Sequence, residues 1–393
     1  MPDEPQFPFG GLPFLNDMMK QLASQGPLNW DVATQSAAAG ARGDTPDPEP
    51  DPSTRFEFNA LADIAGMHVQ QATGLPAGRR EVFTTTRAVW AHRTLQDLRP
   101  LFTELAASMG RPAQDGIPDH GDVGNDATPD PLAAMFSQLS SLMFPSLMGL
   151  TIGSMIGSLA QRAFGQYDLP IPWPKSKELL VVPHTVDSFA ADWSIARDDL
   201  RMWVLVHELT SDAVLGSPAA VGGLLASITS FVGAFRPDPT ALMDRLGELD
   251  PADPASLARL QQTLGDPMLL VGAMSSDEQT ALRPVLDAQV AALTAFVDHT
   301  VDRVGASVLG NPAPIAEAVR RRRIGAPTET DLAERLLGVS LPRDLQRQGA
   351  GFVEGVVERA GEDGLRPLLD SPGNLPTPNE LVAPGLWLAR LAI

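Results

Sequence analysis

Cysteine is missing from this 393-residue chain, which removes disulfides, thiolate metal sites and cysteine nucleophiles together. Any bound metal would rest on nitrogen and oxygen donors. A basic excess is missing too: 29 lysines and arginines stand against 48 aspartates and glutamates, a net charge of −19. An acidic surface repels nucleic acid and anionic membrane, so neither is expected as a partner. The opening stretch MPDEPQFPFGG lacks the basic start and apolar core of a signal peptide, and the cytoplasm is the expected location. No Gly-x-Ser-x-Gly, P-loop or strand-borne Gly-x-Gly-x-x-Gly is found. Tyrosine is nearly absent and lysine rare, beside abundant arginine, alanine and proline. That bias reads as GC-rich coding and carries no functional weight.

What is present is mostly helical periodicity over a chain long enough for a large core. Phe58, Leu61, Ile64, Ala65 and His68 recur at three-and-four spacing before a glycine stop. The segments 84–110 and 277–310 repeat that pattern over many turns, and 328–338 opens on a threonine and closes on Gly338. The one strand candidate is ELLVVP, Glu178 to Pro183. Without alternation of strands and helices, a doubly wound sheet is not expected. Two proline-dense acidic stretches, 40–54 and 110–131, read as flexible loops, and His120 in the second reads as solvated. Residues 1–54 read as an N-terminal segment of helices and the first loop. Residues 55–393 form the main domain, with 110–131 inserted. From Ala133 to Gln161 there is no charge, and Gly149, Gly153 and Gly157 follow small-xxx-small spacing. Its many serines and Pro145 argue for a buried central helix over a membrane span. The run Arg320 to Arg323 is read as pairing with neighbouring acids. His92 and His184 are read as structural.

The chemistry concentrates in DDLRMWVLVHELTSDAVL, Asp198 to Leu215. Met202 to Val206 is apolar on every side, so this helix is expected to be buried all round. Burying His207 and Glu208 there costs several kcal/mol unless both are paired. In a zinc protease the sequence His-Glu-x-x-His sets two histidines one turn apart on a metal, with the glutamate as general base on its water. Here the second position is Ser211, a very poor zinc ligand.

The stretches GPLNWDVATQSA (26–37), GSMIGSLAQRAFGQYDLPIP (153–172) and LLVVPHTVDSFAADWSIARDDLRMWVLVHELT (179–210) together resemble an actinobacterial zincin-like metallopeptidase family of unknown function. Its members are also labelled hydrolases, and some are associated with coenzyme F420 biosynthesis. The resemblance continues through TAFVDHTVDRVGA, AVRRRR, ERLLGVSL and the segments 349–372 and 375–390, nearly the whole chain. It implies a mainly α, zincin-like helical domain with a small β element before the His-Glu helix.

It also implies a metal centre that this chain lacks. Members usually carry His-Glu-Leu-Thr-His, and a later glutamate as third ligand. Alignment on Phe296, Val297 and Asp298 puts Thr294 at that glutamate and Ala295 at the glycine after it. On this reading His207 is a vestigial ligand and Glu208 a vestigial general base, with Ser211 and Thr294 at the lost positions. Replacement ligands would come from His299, Asp298, Asp212 or Asp302. Asp212 lies about 100° around the helix from the ligand side, and His299 reads as a helix-surface residue. The expectation is a zinc-free binding or scaffolding protein without a cofactor, its partner an unidentified protein or small molecule. The alternative is a metal-dependent hydrolase that holds zinc through His207, His299 and an aspartate.

Overall fold

The computed structural model describes residues 26–75, 77, 80–111, 131–236, 276–324 and 328–392. Most of the second acidic loop, with His120, and residues 1–25 lie outside the described residues. The described elements run α1 (Trp30–Arg42), α2 (Pro52–Thr73), β1 (Glu81–Thr84), α3 (Arg87–Asp97), α4 (Arg99–Met109), α5 (Pro131–Ala160), β2 (Glu178–Val181), α6 (Pro183–Asp192) and α7 (Arg197–Leu215). They continue with α8 (Leu225–Gly233), α9 (Asp277–Val308), α10 (Ala313–Ile324), α11 (Thr328–Leu336), α12 (Arg343–Ala360), α13 (Pro378–Val382) and α14 (Pro384–Leu391). The fold is mainly α, with two short parallel strands among the described residues.

Side-chain caps start several helices where the sequence supplies them. Asn29 accepts from the Val32 N–H and Asp51 from the Thr54 N–H, satisfying first-turn donors that have no partner within the helix. The acidic, proline-dense stretch that follows α1 is tied down by Arg87. This arginine donates to the carbonyls of Arg42 and Thr45, and Asp47 accepts from its backbone N–H.

The glycines of α5 explain how that charge-free helix is housed. A β-carbon on Gly149 would lie 2.4 Å from the Asn29 carbonyl oxygen, and one on Gly153 would lie 2.3 Å from that of Ala33. Backbone of α1 therefore rests directly on the glycine face of α5. Within α5, Met143–Ala160 is apolar and long enough to cross a membrane, but more than half of it is buried inside the protein. It makes no clear membrane span.

β1 and β2 pair in parallel, Glu81 opposite Glu178 and Thr84 opposite Val181. The sequence pattern predicts only β2. β1 is too short to show alternation, and its threonines read equally well as the start of α3. From β2 the chain passes through α6 into α7, which packs against α2, α6 and α9. Met202 to Val206 are buried on all sides, as expected for an apolar run of that kind. The start of α7 is anchored by Arg201, which grips Asp187 through two nitrogens at 2.8 and 2.6 Å and Glu57 at 2.6 Å. That clamp orients the face of α7 that carries His207, Glu208 and Ser211.

Candidate functional site

Glu208 is 1 % exposed on α7, and a carboxylate at that depth needs neutralisation or partners. Its Oε2 accepts the Tyr167 backbone N–H at 2.9 Å, and its Oε1 lies 3.3 Å from His207 Nδ1. Burial pushes the Glu208 carboxyl above its ordinary range, with His207 pulling the other way. The imidazole of His207 stacks on Trp203, ring centroids 5.4 Å apart.

The Tyr167 N–H is delivered by the loop between α5 and β2. The Phe164 carbonyl accepts from Val182 N–H at 2.8 Å, and the Gly165 carbonyl accepts from the Trp90 indole at 2.8 Å. The loop passes over Glu208 because residue 165 has no side chain. A β-carbon there would sit 2.5 Å from Glu208 Cδ.

Two polar networks flank the pair. Asp168 accepts from the Phe164 and Gly165 N–H groups and pairs with Arg322 at 2.9 Å. Arg322 also lies over the Phe164 ring, 3.7 Å from its centroid. Arg162 and Arg322 each donate to the other's backbone carbonyl. Burial, then the nearby Arg322 charge, lowers the Arg162 pKa. On the other side the Tyr167 hydroxyl donates to Asp212 at 2.8 Å, and Arg80 pairs with the same carboxylate at 2.9 Å. Burial raises the Tyr167 hydroxyl well above its usual range, and Asp212 adds to that; burial raises Asp212 as well.

A cavity of about 310 Å³ opens beside this assembly, and His207, Glu208, Ser211 and Thr294 all border it. His207 and Ser211 share one face of α7 because they are four residues apart; Thr294 comes from α9. Neither hydroxyl has a hydrogen-bond partner among the described residues. Asp298, His299 and Asp302 reach the same cavity from the next turns of α9. His299 Nε2 lies 3.1 Å from Glu362, whose other oxygen pairs with Arg303. Asp212 is engaged by Tyr167 and Arg80 and does not line the cavity. Among the described residues no group of three or more His, Asp or Glu side chains is arranged to hold a metal ion. His92 and His184 do not line the cavity. Within the arginine run, Arg320 and Arg321 pair with Glu317, and Arg322 with Asp168.

Sequence reasoning singled out the residues on α7 and α9 and read Arg322 as one of a run that pairs with acids, but it missed Arg162, Gly165, Tyr167 and Asp168. The one available signal was the protein's single tyrosine, set beside an aspartate in a charge-poor stretch.

The buried carboxyl has a consequence for pH. The folded state holds the Glu208 proton to higher pH than the unfolded chain, whose value is near 4.5. The native state therefore binds more protons just above that value, and stability falls as pH rises until the folded pKa is passed. Asp212 acts in the same direction. Glu208→Gln supplies a neutral group of the same shape, so its stability should decline less between about pH 5 and pH 7. Thermal unfolding of both proteins at the two pH values reads the difference; equal declines would mean that Glu208 is ionised in the fold.

A sequence profile described as zincin-like metallopeptidase matches residues 28–388. No curated protein matches the chain. A solved structure from Chloroflexus aurantiacus, described as a candidate hydrolase with a novel fold, superposes with a TM-score of 0.57 at 19 % identity. The match covers 93 % of this chain and 99 % of that one. At that identity the likeness establishes a shared fold.

Proposed function

The chain belongs to the zincin-like metallopeptidase family, and from that premise we propose that it is a member without catalytic zinc that acts by binding a ligand in the retained cavity. The observation that carries this reading is the position of Ser211 and Thr294 on the cavity that His207 borders. A catalytic zinc needs three protein ligands. At the family's three ligand positions the cavity offers the His207 imidazole and, in place of the second histidine and the glutamate, two neutral hydroxyls, which hold zinc poorly. This donor set does not fit the metal.

Glu208 supports the same reading. A general base must reach a water in the site. Glu208 borders the cavity, but each of its oxygens already faces a protein group, the Tyr167 N–H and His207 Nδ1. A zinc site rebuilt from His299 and an aspartate is not favoured, because His299 faces Glu362 and Asp212 is held by Tyr167 and Arg80. The actinobacterial affiliation and the cytoplasmic location remain part of the proposal and rest on sequence pattern.

Metal analysis tests it. Protein purified without chelator should contain zinc far below one ion per chain, and His207→Ala should leave that content unchanged. Near-stoichiometric zinc that disappears in His207→Ala would overturn the reading.

A further inference from the structure

Ser211 is 3 % exposed, borders the cavity and has no hydrogen-bond partner among the described residues. Thr294 also brings an uncommitted hydroxyl to that cavity. Buried polar groups in native proteins are nearly always paired, so the buried Ser211, with the half-buried Thr294 hydroxyl on the same cavity, points to a ligand that completes them. Beside them His207 has Nδ1 turned to Glu208, which leaves Nε2 for the cavity. The floor therefore offers two hydroxyls and an imidazole edge.

The charge around them selects the sign of the ligand. Asp168, Asp298, Asp302, Glu334 and Glu354 line the cavity with Glu208, more carboxyl groups than the two arginines among them, Arg162 and Arg322. Acidic walls of low dielectric concentrate cations and repel anions. Leu159, Trp203, Val297, Val319 and Val353 give the lining its apolar stretches, beside the polar Tyr167, His299 and Gln346. A volume of about 310 Å³ lies at the small end of ligand pockets, too small for a folded partner.

We propose that this cavity binds a small amine, a primary ammonium on an apolar body, with Ser211, Thr294 and His207 as acceptors for its N–H donors. A primary ammonium carries three donors and no acceptor, which suits hydroxyl and imidazole groups in a cavity where carboxylates outnumber arginines. A quaternary ammonium keeps the charge and loses every donor; a carboxylate reverses the charge. This assignment rests on the zinc-free reading above.

Calorimetric titration of the full chain with n-hexylamine, hexyltrimethylammonium and hexanoate tests it. Hexylamine is expected to bind about tenfold or more tightly than either of the others, the worth of a hydrogen bond to a charged group. Ser211→Ala and Thr294→Val, both conservative in volume, should each weaken hexylamine about tenfold while circular dichroism stays that of the folded chain. The proposal is overturned if hexylamine shows no measurable binding, if either comparison compound binds as well, or if both substitutions leave its affinity unchanged. Zinc measured in the same preparation separates the two readings. Near-stoichiometric zinc removes the premise, whereas zinc-free protein that fails these tests removes the ammonium site alone.

Discussion

A chain carrying Ser211→His and Thr294→Glu together is expected to take up one zinc ion. The two replacements return to the cavity the donors that the family pattern places there, next to His207 on the same helix face and opposite it on α9. Position 211 is one turn after 207, so the new imidazole enters the face that His207 already presents. The empty cavity gives both longer side chains room, which matters because Ser211 is otherwise packed in the core. Each single replacement leaves fewer than three ligands and should bind zinc weakly. Zinc at about one hundred times the dissociation constant would raise the stability of the double variant by about 2.7 kcal/mol and leave the parent unchanged. Metal analysis and thermal unfolding with and without zinc read both effects. A folded double variant that ignores zinc would mean that α7 and α9 no longer hold these positions at zinc-binding separation.

The second large effect is expected at Gly165, a residue that carries no chemistry of its own. A β-carbon there meets Glu208 Cδ at 2.5 Å and Oε2 at 2.6 Å, and neither side can yield easily. The carboxyl is buried, and the loop is pinned through the Trp90 indole and the Val182 N–H. Gly165→Ala should therefore cost about 1–3 kcal/mol through overpacking. A further ~1–3 kcal/mol follows if Glu208 loses the Tyr167 N–H. Chemical denaturation measures the loss. The cause is isolated by repeating the substitution in a Glu208→Ala background, where the clash is gone and most of the cost should vanish. An equal cost in both backgrounds would show that the strain lies in the backbone at 165 and not against Glu208.

The two predictions differ in how visible their residues were beforehand. His207, Glu208 and Ser211 are legible because a buried helix announces itself by an apolar run, and a histidine–glutamate pair inside such a run is expensive. Thr294 became legible only through the resemblance of TAFVDHTVDRVGA to a family pattern. Gly165 had no such mark. A glycine needed for close approach looks in sequence like any loop glycine, because the group it must avoid lies 43 residues further along, at Glu208.

The arginine run shows the same division. Its pairing with acids was expected from the charge of the chain, and Arg320 and Arg321 find Glu317 within their own helix. Arg322 crosses to Asp168 and Phe164, more than 150 positions earlier, and so becomes a wall of the cavity. Helical spacing assigns the first two partners, since residues three and four apart are neighbours on a helix. It says nothing about the third.

By itself, then, the sequence determined a mainly helical chain, a buried His-Glu helix and the chemical poverty of its two expected ligand positions. The first two follow from residue type and local period, which act over a few turns; the ligand position at Thr294 came from the resemblance to a family pattern. Tertiary structure alone decided that Ser211 and Thr294 border one cavity with His207. It also decided that Glu208 is capped by the loop at Gly165 and Tyr167, and that His299 is drawn off to Glu362. Those outcomes depend on how α5, α7, α9 and α12 pack, and periodicity tells which face a helix buries without telling what that face will meet.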